Sequence, residues 1–229
     1  MELRQEITDL SRLRRWNGVA LIAMAAMELV YGVLSFQFLN LIRMGGDDSV
    51  MPSVLHGLWN GYEAREAVVV NTYMVAYVIC AILGATWTYG AVRNAAVLDP
   101  KPERIGPMGA VFWYVVPIAN LFLPYRAMKQ TYNASCRPAR EMAANPPRLL
   151  PLWWGFWLLT GFLAILVTGI YGIRPSSADY QLGAMIEIAY SPLSVASIYL
   201  WWMVVTTITD MQQAAGRAAP NNLSQEVIQ

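Results

Sequence analysis

The chain has 229 residues, 56% of them hydrophobic and 14% charged, with 16 basic and 15 acidic side chains and a formal net charge of +1. A soluble domain carries roughly 25% charged residues. The depletion excludes an ordinary soluble enzyme and a disordered chain, and the balance of charge excludes a nucleic-acid binder.

Five apolar stretches, 16–42, 67–92, 105–125, 149–173 and 182–209, contain Glu28 and Glu187 and no other charged residue. Each is long enough to cross a hydrocarbon core of roughly 30 Å, which takes about 20 helical residues. Runs such as Trp153-Trp154-Gly155-Phe156-Trp157 do not alternate as barrel strands do. Helices are then the spanning structure that satisfies the backbone in lipid. The expected fold class is all-α, a polytopic membrane helical bundle.

In chain order, residues 1–15 place Leu3, Ile7, Leu10 and Leu13 at helical spacing between charges, the pattern of an amphipathic interfacial helix. Residues 16–208 read as a single transmembrane bundle domain, and its first apolar run is too long for a signal-peptide core of about 7–15 residues. A loop over 43–66 carries His56, Trp59 and Tyr62, and a span follows at 67–92. The loop 93–104 contains the turn signal Asp99-Pro100-Lys101-Pro102.

The third stretch contains Pro117, Asn120 and Pro124. Proline removes a helix hydrogen bond and clashes with the preceding turn. Beyond it, Tyr125, Met128 and Tyr132 share one helical face, with Arg126, Lys129 and Asn133 on another. A Trp-rich span at 152–173 and a last span at 184–208, which Pro192 should kink, complete the bundle. The tail 209–229 is polar and expected to be disordered.

Arginine and lysine placement tests the third stretch. With the N-terminus cytoplasmic and all five stretches crossing, the 16 basic residues divide equally, eight to a side. If 105–124 returns to its own side, thirteen are cytoplasmic and three are outside. The positive-inside rule favours the second arrangement: four spans plus a re-entrant or Pro-broken segment at 105–124, with five full spans as the alternative.

The string Trp113-Tyr114-Val115-Val116-Pro117-Ile118-Ala119-Asn120-Leu121-Phe122-Leu123-Pro124, followed by Trp153, Trp154 and Trp157, resembles the signature of an uncharacterised bacterial membrane-protein family, domain of unknown function 4328. The resemblance implies a bacterial plasma-membrane location and carries no activity.

Candidate sites follow from cost. An acid at the depth of Glu28 must be protonated or paired, so it is either a proton or cation site or a hydrogen-bonded packing residue. Glu187 and Asn71 lie near the outer end of their spans and either cluster or hydrate separately. Pro117, Asn120 and Pro124 could expose backbone groups to a ligand, or Asn120 could satisfy groups the prolines free. A basic cytoplasmic face would comprise Arg12, Arg14, Arg15, Arg126, Lys129, Arg137, Arg140 and Arg148. The tryptophans read as belt and packing residues. The four-residue spacing of Ala164, Thr168 and Gly172 favours a close helix seam within the bundle.

His56 is the single histidine, and Cys80 and Cys136 lie in unlike surroundings. No metal cluster, cofactor motif, disulfide or catalytic dyad is expected. The function expected is that of a small accessory or scaffold protein of the bacterial plasma membrane, both termini cytoplasmic. Its partners would be the bilayer, anionic lipid headgroups, and a membrane protein or a second copy. The alternative is a transporter or channel for a small solute or protons, using Glu28 and the Pro117–Pro124 segment.

Overall fold

The computed structural model of the protein describes residues 7–45, 53–136, 148–172 and 175–226. Among them every regular element is helical: α1 (Ser11–Gly45), α2 (Ser53–Leu98), α3 (Pro107–Phe112), a 3-10 turn (Ala119–Leu121), α4 (Leu123–Ser135), α5 (Leu149–Ile170) and α6 (Ser177–Glu226). Four helices, α1, α2, α5 and α6, are long and apolar enough to cross a membrane. The chain is thus an all-α bundle with four membrane-length helices, and no continuous helix covers 105–124.

Several boundaries differ from the sequence reading. Residues 7–10 are not helical, because the Asn94 side chain engages both backbone groups of Thr8. Asn94 Oδ1 accepts from Thr8 N–H at 2.9 Å, and its amide donates to Thr8 C=O at 2.9 Å. The amphipathic helix expected over 1–15 therefore begins only at Ser11 within the described residues. Asp9 starts it, accepting from Ser11 N–H at 2.8 Å and Ser11 Oγ at 3.0 Å.

His56, Trp59 and Tyr62 belong to α2 rather than to a loop. Trp59 and Tyr62 fall three apart and pack on Phe38, with ring centroids 5.9 and 5.5 Å away, beside Leu34 and Leu41. The 209–226 part of the tail is helix, not disordered chain. The buried positions Val204, Val205, Ile208, Gln212 and Ala215 hold helical spacing past the end of the apolar run.

The chain packs as two compact units. The first is Met1–Val19, Ala81–Trp154 and Leu200–Gln229, and the second is Ala20–Cys80 and Gly155–Tyr199. In the first, aromatic rings form the core. Trp201 packs at a tilt on Trp153 at 5.1 Å and meets Trp87 edge-on at 5.4 Å, and Trp87 Nε1 donates to Thr209 Oγ1 at 3.0 Å. These tryptophans are packing residues. In the second unit, exposed apolar side chains such as Ile22, Val75, Phe162 and Ile165 form an outward surface suited to lipid. Ala164, Thr168 and Gly172 are also exposed, so they form no seam among the described residues.

Candidate functional site

In the second unit α1 and α6 meet along a polar seam. Glu28, Tyr31, Gly32 and Ser35 recur on one face of α1, and Glu187, Ser191 and Ser194 on one face of α6, at spacings of three, four and seven. Glu28 is 2% exposed. Its Oε1 accepts from Ser194 Oγ at 2.7 Å and from Tyr73 OH at 2.8 Å, while Ser191 Oγ donates to its backbone carbonyl at 2.7 Å. Glu187 accepts from Ser35 Oγ at 2.8 Å and Tyr31 OH at 3.4 Å.

Each helix thus supplies the acid at one end of the seam and the hydroxyl at the other. The crossing point is Gly32, where an added Cβ would lie 2.8 Å from both Cβ and Oγ of Ser191. Seven residues separate acid from serine on each helix, so the two Glu–Ser contacts lie about 10 Å apart along the axes. Chemically this is a ladder of hydroxyl donors around two carboxyls. Glu28 Oε2 is buried with no hydrogen-bond partner among the described residues. That leaves one oxygen to carry a proton or meet a cation.

Glu187 is therefore bonded across the seam rather than hydrated alone. Asn71 is exposed, and its amide donates to Ala67 of its own helix at 2.7 Å, so it does not join Glu187. Ser35, Tyr73, Ser191 and Ser194 were not singled out by sequence reasoning. Their hydroxyls are common in apolar helices; the seven-residue spacing from Glu28 and from Glu187 could have marked Ser35 and Ser194, but not Tyr73 or Ser191.

In the first unit the basic residues divide. Arg14 pairs with Asp210. Arg12, Arg15, Arg126, Lys129 and Arg148 are exposed. Arg137 and Arg140 lie outside the described residues. The amphipathic reading of α4 is met: Met128 and Tyr132 are buried while Arg126, Lys129 and Asn133 are exposed. Burial pushes the Tyr132 hydroxyl up to about 12, with Cys136 adding to the effect. The bonds from Ser11 hold the Asp9 carboxyl below its ordinary range.

Beneath α4 is a polar core. Gln212 Nε2 donates to Ala91 C=O at 2.9 Å and Ser135 Oγ at 3.1 Å, and its Oε1 accepts from Asn94 at 3.1 Å. Arg104 joins Asp99 at 2.9 Å and the Gln130 carbonyl at 2.8 Å.

The segment holding Pro117, Asn120 and Pro124 also belongs to the first unit. α3 stops at Phe112, and Ile118 has φ 64° and ψ −54° while Ala119 N–H bonds the Pro117 carbonyl at 2.7 Å. That is a γ-turn centred on a β-branched residue, a strained conformation. Trp154 Nε1 donates to Leu121 C=O at 3.2 Å, tying the turn to α5. Asn120 Oδ1 is buried without a partner among the described residues, so that oxygen does not satisfy freed backbone donors.

A family model, Domain of unknown function (DUF4328), matches residues 53–210. The chain belongs to the DUF4328 family. In this DUF4328 protein the match spans α2 through most of α6, including Tyr73, the broken segment, Glu187 and Ser194. It begins after α1, so Glu28 and Ser35 lie outside it. No curated protein and no solved structure matches the chain.

Proposed function

We propose that this DUF4328 protein is an accessory or scaffold protein of the bacterial plasma membrane, crossing it four times with both termini cytoplasmic. Its basic side contacts anionic lipid headgroups and a membrane protein partner or a second copy. The observation that carries the reading is α4, whose Arg126 and Lys129 face outward over a buried apolar face. Arg12, Arg15 and Arg148 are exposed in the same unit. Each Lys or Arg near an anionic membrane surface contributes about 1 kcal/mol. On this reading 105–124 dips into the membrane and returns to its own side, and the protein carries out no catalysis and holds no cofactor. The test is binding to vesicles with and without anionic lipid, together with crosslinking in membranes. Equal binding to both vesicle types, with no crosslinked partner, overturns it.

A second reading, passage of protons or a small solute, rests on Glu28 with its buried, unpartnered Oε2. Flux into proteoliposomes that is lost in Glu28→Gln supports it. A parent protein with no flux of protons or a panel of ions and small solutes removes it.

A further inference from the structure

Within the first unit, a groove of about 450 Å³ opens between the start of α1 and the last turns of α2. Arg12 and Arg93 line it, both exposed, and no acid forms an ion pair with either among the described residues. Trp16 stands four residues after Arg12, and Tyr89 four residues before Arg93; both rings line the same groove and are half exposed. α1 runs into its apolar segment from Arg12, whereas α2 leaves its own at Arg93. The two helices therefore present the same order from the membrane surface inward: a guanidinium, then an aromatic ring one turn deeper. Leu13 and Thr86 continue the wall. Asp9, the one acid in the lining, already accepts from Ser11 and from the Gln213 amide at 3.1 Å.

We infer that this groove binds one anionic glycerophospholipid, its phosphate on Arg12 and Arg93 and one acyl chain along Leu13, Trp16, Tyr89 and Thr86. Guanidinium groups engage phosphate oxygens through paired N–H donors. Trp and Tyr sit at the headgroup level, where one end is apolar and the other wet. The site rests on the reading that the basic side faces anionic lipid, but it is stoichiometric where α4 offers general attraction.

Native mass spectrometry of the full chain in detergent, titrated with phosphatidylglycerol or with phosphatidylcholine of the same chains, tests it. The expected result is a one-to-one adduct with phosphatidylglycerol at least tenfold tighter than with phosphatidylcholine. Arg12→Gln with Arg93→Gln weakens it at least tenfold. Thr86→Trp, which keeps both cations but fills the groove, does the same, and Arg65→Gln, at an exposed cation of the second unit, leaves it unchanged. Parental affinity in both groove variants, or equal binding of the two lipids by the parent, overturns the site. If the vesicle preference persists through that result, the broader reading stands without the groove. If the adduct survives while the vesicle preference is absent, the groove stands without the broader reading.

Discussion

Ser194 Oγ donates to the Glu28 carboxyl at 2.7 Å, and seven residues away along both helices the roles are exchanged, with Ser35 donating to Glu187 at 2.8 Å. Removing an acid at this seam strands buried hydroxyls, at about 1–3 kcal/mol for each group left unsatisfied. Glu28→Ala is expected to lower stability by that order, whereas Glu28→Gln, which keeps an acceptor of the same shape, stays within about 1 kcal/mol of the parent. Unfolding in detergent measures both, and a Glu28→Ala protein as stable as the parent contradicts the role of the seam.

The crossing point gives a steric prediction. A Cβ at Gly32 would stand 2.8 Å from Ser191. Gly32→Ala should destabilise by about 1–3 kcal/mol, as other overpacked contacts do. Combining it with Ser191→Gly, which removes the opposing Cβ, should recover part of the loss. No recovery in the double variant would mean that the two helices do not meet here.

Arg104 and Asp99 form a buried ion pair, their side chains 8% and 5% exposed. Removing one member of a buried pair costs up to about 3–5 kcal/mol, and less here because Lys101 also lies 3.8 Å from Asp99. Arg104→Met is expected to show that loss, and Arg104→Met with Asp99→Leu much less of it. A double variant whose loss equals the sum of the Arg104→Met and Asp99→Leu losses would show that the pair contributes no coupling.

Gln212 is 2% exposed and bonded to three partners on other parts of the first unit. Gln212→Leu should cost about 1–3 kcal/mol by leaving the Asn94 amide and the Ala91 carbonyl short of partners. It should also speed hydrogen exchange in the helix beyond Asp210. An unchanged exchange pattern there would separate the helical tail from this polar core.

The path of 105–124 can be read by accessibility. Asn133 is exposed on α4. In a background lacking Cys80 and Cys136, Asn133→Cys should be labelled by an impermeant thiol reagent from the same side as Arg12→Cys. Labelling from opposite sides would make 105–124 a full crossing.

The four membrane-length helices and the break at Pro117 were legible in the sequence, because both are local. An apolar run of sufficient length must become a helix in lipid, and a proline removes its hydrogen bond whatever surrounds it. The helix ends were not. Thr8 is held out of the helix by Asn94, 86 residues away, and α6 runs past the apolar stretch because Gln212 finds partners 77 to 121 residues away. The composition also marked Glu28 as costly, without naming what satisfies it. Tyr73 is 45 residues distant and Ser194 is 166, and a hydroxyl in an apolar helix looks the same in sequence whether it bonds its own turn, as Thr168 does, or an acid on another helix. The sequence by itself determined which segments are long and apolar enough to cross a membrane. Only the tertiary structure decided which polar groups satisfy one another, since that depends on faces brought together by packing.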